Sequence, residues 1–372
     1  MVLICSIGVF VSGLALLFLT YPNGDNSGAI PDLKTIEPDS NEASPPVPVN
    51  ENPHAFVIPS ELTQQAEALS FFEDLRSLLL SLPREEATAW IEEYLNSGHN
   101  LSSPLAYQVG PMGRLNSYPS LRLFLLDFIV EIDPESAAQQ SKLILNFSDN
   151  SDEWSLAFRN LAWTQPNSDM RTFLEGRFRE MVNRKNWITN PSAGFLESFD
   201  LAVFLGKDRL APELSNLLAT QDNPAVAHAA FIALDRKVQA DPTAMLNWLL
   251  QEKEALDTRL ESRASLFSRA DIRDPRQRAL VETFILSPGR SDQELKKFAE
   301  LFPNANFFVS NNLLTEVQTP TGGGIAARDA FTLQQLETWR NDPRFSVRIE
   351  YIETILLRLR TFSGYSNSDV DG

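Results

Sequence analysis

The chain has 372 residues, of which 43% are hydrophobic, enough apolar material for a large core, so wholesale disorder is excluded. Its 49 acidic and 32 basic residues leave a formal net charge of -17, and an acidic body repels phosphate backbones, which argues against nucleic-acid binding. The single cysteine, Cys5, lies in the first apolar segment, so neither a disulfide nor a cysteine-ligated metal is expected in the rest of the chain.

Residues 2–19 are apolar or small throughout, and the first charged side chain is Asp25. Eighteen helical residues at about 1.5 Å each reach roughly 27 Å, close to the thickness of a hydrocarbon core. A signal peptide normally has a basic start and a shorter apolar stretch, whereas here only the α-amino group is positive. Residues 1–21 are therefore read as a transmembrane anchor or uncleaved signal. A cleaved signal peptide processed near Ser27-Gly28-Ala29 is the alternative, and a buried helix is a third reading. The flank that follows is acidic and lacks the positive cluster that holds a flank in the cytoplasm. The expected topology is single-pass, with the N-terminus cytoplasmic and the C-terminal domain periplasmic or extracellular.

Residues 22–59 are rich in Pro, Asn, Ser, Asp and Glu, with Pro45-Pro46-Val47-Pro48 the stiffest part. Such a segment buries too little apolar surface to order itself, so a disordered spacer is expected, with a Pro-motif ligand as the alternative.

From residue 60 the apolar period becomes 3.6, and residues 60–363 read as one α-helical domain, followed by a disordered tail at 364–372. Leu62, Ala66, Leu69, Phe72, Leu75 and Leu79 form one stripe. Pro83 then opens a second helix, with Glu85 and Glu86 in its first turn and Gly98 as its stop. The opening signal recurs at Asp133-Pro134, Asp241-Pro242, Asp274-Pro275 and Asp342-Pro343, and with Asn at Asn190-Pro191 and Asn223-Pro224. Helix starts are expected near each of these prolines and near Pro119. The helix after Pro119 carries only Arg122, Asp127 and Glu131 as charges, so it is expected to be covered on most sides.

Leu210 to Leu234 reads as a helix with paired leucines, an Asp-Asn-Pro turn and an Ala-rich helix. This segment resembles a HEAT repeat unit, with the likeness clear over about 40 residues. The resemblance implies an irregular solenoid of stacked helical hairpins with an extended binding surface, and brings no catalytic residues with it.

The sequence offers little chemistry. Its three histidines, His54, His99 and His228, are scattered, and no zinc, phosphate-loop or nucleophile-elbow motif is present. No cofactor and no metal are therefore expected. The carboxylate pairs Glu85/Glu86 and Glu92/Glu93 point in different directions on a helix and read as solvated faces. Arg259, Arg263, Arg269 and Arg273 interleave with Glu261 and Asp271, which reads as an intramolecular salt-bridge network or as a docking patch for an acidic partner. Gly322, Gly323 and Gly324 follow Thr319-Pro320-Thr321 and read as a mobile surface loop ahead of a helix beginning near Asp329; they are the candidate partner-binding loop. The functional expectation is a membrane-tethered extracytoplasmic scaffold that binds protein or cell-envelope partners. The alternative is a cell-envelope hydrolase or transferase that uses carboxylates for acid/base work. A cleft holding two carboxylates with raised pKa values would separate the two.

Overall fold

A computed structural model describes residues 57–252, 254–306, 310–316 and 321–368, with side chains described as far as Thr361. The expected anchor at 1–21 and nearly all of the linker at 22–59 lie outside these residues. Among the described residues, no helix is long and apolar enough to cross a membrane. The described chain is mostly α-helical, as the 3.6-residue period requires.

Helix α1 (Gln65–Ser81) buries Ala68, Phe71, Phe72, Leu75 and Leu79, one stripe of its surface. Pro83 is the N-cap of α2 (Arg84–Asn96), and Glu85 and Glu86 occupy the first turn. The chain then departs from the helical expectation. Strands β1 (Gln108–Val109) and β2 (Leu115–Ser117) form a small antiparallel hairpin. Its turn places Met112 (φ 55) and Gly113 (φ 71) in the left-handed region.

Helix α3 (Leu121–Ile132) is buried on nearly every side. Each of its three charges finds a partner on another helix: Arg122 meets Glu153, Asp127 meets Arg159, and Glu131 meets Arg76. Asp133 caps α4 (Pro134–Phe147) by accepting from the N–H groups of Glu135 and Ser136. Asn150 caps α5 (Ser151–Thr164), and α6 (Ser168–Met181) and the short α7 (Lys185–Thr189), α8 (Ala193–Glu197) and α9 (Asp200–Leu205) follow. One expected cap is replaced here. Asn190 closes α7, and it is Ser192 that caps α8 by accepting from the Phe195 N–H.

Helices α10 (Ala211–Thr220), α11 (Pro224–Ala240), α12 (Pro242–Gln251) and α13 (Leu260–Phe267) continue the series, with Asn223 and Asp241 capping α11 and α12. Asp274 caps α14 (Pro275–Leu286) and Ser291 caps α15 (Asp292–Leu301). Helix α16 (Gly322–Arg340) precedes a 3-10 segment at Pro343–Arg348 and the last helix, α17 (Ile349–Ser368).

One expectation needs correction. The glycine triplet is the first turn of α16, with Thr321 Oγ1 accepting from the Gly324 N–H, so the helix begins seven residues before Asp329. Glycine costs a helix only about 1 kcal/mol per residue, which a good cap and a buried far end offset. Helix α17 extends through Gly364 to Ser368.

Successive helices pack in pairs, among them α4 with α5, α10 with α11 and α16 with α17, while α12 with α14 and α13 with α15 pack one helix apart. Phe267 stacks on Phe284 and Phe298 on Phe302, and a tilted contact between Phe284 and Phe298 joins the two pairs. Burial of each such ring stabilises the fold by about 1.5–3 kcal/mol. Residues 310–316 run back across this series to the hairpin. Leu313 is fully buried, a Cβ at Gly113 would lie 2.2 Å from the Leu313 carbonyl oxygen, and Asn311 donates to the Val109 carbonyl at 3.4 Å.

Candidate functional site

A cleft of about 720 Å³ opens where residues from α9, α11, the 269–273 turn, residues 304–306, residues 315–316 and the start of α16 converge. That volume suits a small molecule or a short peptide segment. Its walls are held by specific contacts. Lys237 of α11, almost fully buried, donates from Nζ to the carbonyls of Ala202 (2.7 Å) and Gly206 (3.2 Å), which closes the C-terminal end of α9 and fixes it to α11. Burial pushes this ammonium down to about 8, against the opposing pull of Asp208 and Glu175.

Four guanidinium groups, Arg236, Arg269, Arg273 and Arg328, line the cleft, and each is already engaged. Arg269 makes a two-pronged pair with Asp235, both contacts at 2.7 Å. Arg273 grips Asp271, and although burial favours the neutral acid, the hydrogen bonds and charge of Arg273 hold Asp271 below the usual carboxylate range. Arg328 donates to the carbonyls of Asn304 (3.2 Å) and Pro303 (3.3 Å) and to Asp329. Arg236 donates to the Ser310 hydroxyl at 2.7 Å and lies 3.9 Å from Asp200. Val203, Phe204, Ala240, Ala305 and Ile325 supply apolar lining. The surface is thus mixed, with fixed donors and acceptors over an apolar floor.

The sequence-selected residues divide. Arg269, Arg273 and Gly324 line the cleft. Gly322 and Gly323 belong to the same helical turn and do not line it. Arg259 donates to the Leu218 carbonyl at 3.0 Å, and Arg263 is buried between Glu294 and Asp257. Three of the four arginines thus pair with acids, Arg263 with Glu294 and Asp257, Arg269 with Asp235 and Arg273 with Asp271, and Arg259 bonds a carbonyl. They do not form one exposed patch. His99 and His228 are exposed and far apart in the chain, and Glu85, Glu86 and Glu93 face solvent. Among the described residues, no group of three or more His, Cys, Asp and Glu side chains is placed to hold a metal ion.

Sequence reasoning missed Asp200, Glu197, Arg236 and Arg328. Asp200 is buried and accepts from the N–H groups of Leu314 (2.7 Å) and Thr315 (2.8 Å) and from the Thr315 hydroxyl (2.5 Å). Burial raises its pKa, against those hydrogen bonds and Arg236. Burial also pushes the Glu197 carboxyl up to about 7, with Arg236 opposing and Asp200 reinforcing the shift. These two raised carboxyls do not line the cleft; the acids that do are Asp271, which is depressed, and Glu316. No local motif marks any of these positions, because their partners lie tens of residues away.

No protein-family model matches the chain, and neither a curated protein nor a solved structure shows significant similarity to it.

Proposed function

We propose that this chain is a membrane-tethered, extracytoplasmic helical-repeat scaffold that receives a segment of a protein partner in the cleft between α9, α11 and α16. The supporting observation is the cleft itself: six separate stretches of chain converge on a mixed polar and apolar surface whose side chains are held in place before any partner arrives. Preorganised donors and acceptors over an apolar floor suit an extended peptide better than a reacting substrate, which needs a nucleophile or an acid/base pair. The HEAT-like segment Leu210–Leu234 covers α10 and the first part of α11, a pair that packs together, in keeping with a repeat architecture. The 18 apolar and small residues at 2–19, with an acidic flank, support the tether and its orientation.

A photo-crosslinking amino acid at Ile325, in the full chain in native membranes, tests the reading. The expected result is one discrete adduct that an Ile325→Trp chain, its cleft filled, no longer competes away, while the same probe at exposed His99 gives none. Adducts of equal yield at both positions, or none at Ile325, refute the cleft. Alkaline extraction and intact mass test the tether: the full-length mass should stay with the membrane, and deletion of residues 1–21 should release it.

A further inference from the structure

The cleft is more basic than the protein that contains it. Four guanidinium groups and two carboxylates, those of Asp271 and Glu316, line it, in a chain whose net charge is -17. Two of the four are neutralised at short range, Arg269 by Asp235 and Arg273 by Asp271. The other two are held mainly by neutral groups. Arg236 donates to the Ser310 hydroxyl, and its nearest carboxylate among the described residues, Asp200, is 3.9 Å away with both oxygens already accepting from Leu314 and Thr315. Arg328 donates to the main-chain carbonyls of Asn304 and Pro303; its one acid, Asp329, is 3.3 Å away, and the same carboxylate attracts Arg358. The Arg328 Nε is buried and has no acceptor among the described residues.

These groups are linked through shared partners. Asp235, the neighbour of Arg236 on α11, binds Arg269. Arg269 in turn donates to the Asn306 carbonyl, and two residues earlier the Asn304 carbonyl accepts from Arg328 of α16. The Asn304 N–H donates to the Ser268 carbonyl at 2.8 Å, which ties this wall to the residue just before Arg269. Arg236, Arg269 and Arg328 thus form one connected strip from α11 to α16. The side chains at its two ends, Arg236 and Arg328, are only 18% and 11% exposed. Bonds to a hydroxyl or a carbonyl orient a guanidinium without cancelling its charge. A carboxylate that reaches such a fixed planar fork forms short, charge-assisted bonds at little ordering cost.

We propose that the segment received by the cleft is acidic: it presents carboxylate side chains to Arg236 and Arg328 and an apolar side chain to Val203, Phe204 and Ile325. This chemistry of the partner rests on the cleft reading above. The acidic body sharpens the choice of docking place. Away from the cleft, the excess of acidic groups repels such a segment, while within the screening distance of about 10 Å at 0.1 M salt the arginine strip attracts it. A basic segment meets the reverse, attracted to the body and repelled by the strip.

A rhodamine-labelled nonapeptide with two glutamates around a central leucine, in a serine background, tests this by fluorescence anisotropy on the full chain in phosphatidylcholine nanodiscs. One charge-assisted bond corresponds to about ten-fold in affinity, so the version with glutamine for glutamate should bind more weakly by at least that factor. The version with lysine should not compete. Arg236→Gln and Arg328→Gln should each weaken the glutamate peptide about ten-fold and leave the glutamine peptide unchanged. Arg276→Gln, outside the cleft, should change neither. The comparison of peptides uses the unaltered chain, so it decides the matter even where a substitution disturbs the fold. No saturable binding of the glutamate peptide, equal affinity for the glutamine version, displacement by the lysine version, or a glutamate preference that survives Arg236→Gln/Arg328→Gln overturns the proposal. Displacement by millimolar free glutamate also overturns it, assigning the strip to a small carboxylate ligand. An Ile325 adduct without a glutamate preference keeps the cleft and removes its acidic partner. A glutamate preference that needs both arginines, in a chain whose Ile325 probe captures nothing from native membranes, leaves carboxylate recognition standing and removes the protein partner.

Discussion

Replacing Glu197 with Gln removes an ionisation that the fold disfavours while keeping the side chain's shape. The carboxyl sits at about 7 in the folded protein, against 4.5 for an unperturbed glutamate. The folded state therefore binds the proton more tightly, and its stability falls as pH rises from 4.5 to 7 and stays reduced above that. Two and a half pH units correspond to roughly 3 kcal/mol at full effect, and partial exposure of this side chain reduces that to about 2 kcal/mol. Glu197→Gln should therefore stabilise the protein by about 2 kcal/mol at pH 8 and by well under 1 kcal/mol at pH 5. With about 2.1 cal/mol/K of unfolding entropy per residue, a body of some 300 residues should gain about 3 °C in Tm at pH 8. Calorimetry of both proteins at the two pH values checks this. Equal gains at pH 5 and pH 8, or a loss at pH 8, would refute the assignment of a raised carboxyl to Glu197.

Asp127→Ala should destabilise by about 3–5 kcal/mol, because it leaves the fully buried Arg159 charge without its partner; denaturant titration checks this, and Asp127→Ala/Arg159→Met should recover part of the loss. Gly322→Ala and Gly323→Ala should each stabilise by a few tenths to about 1 kcal/mol, since a Cβ at either position meets nothing within 4 Å and alanine favours a helical turn. A loss of stability in either variant would point to a loop in place of the first turn of α16.

What the sequence shows well is what neighbours in the chain decide. The Asp-Pro signals at 133, 241 and 274 mark helix starts because the cap and its N–H partners lie within three residues of each other. The hairpin escaped notice because strands of two and three residues are too short to show an alternating pattern; only Gly110-Pro111 hinted at a turn. The glycine triplet misled because propensity is a weak prior: Thr321 caps the turn, and Leu336 and Trp339 bury the far end of the same helix. The cleft was hidden for a different reason. Arg236, Arg269 and Arg328 acquire meaning only through Ser310, Asp235 and Asn304, and nothing in a linear sequence records that pairing.

The contact between Leu313 and Gly113 joins points 200 residues apart in the chain. An array in which each helix pair touches only its neighbours unravels from either end, one unit at a time, at little cost per step. Here unravelling from the C-terminal end can pass α16 and α17 but cannot go beyond them until residues 310–316 leave the hairpin at 108–117. The chain behaves more like a closed ring than an open stack. Unfolding should be a single cooperative transition spanning the described body, and refolding should be slow for a helical protein, since so long a loop must close before that contact contributes.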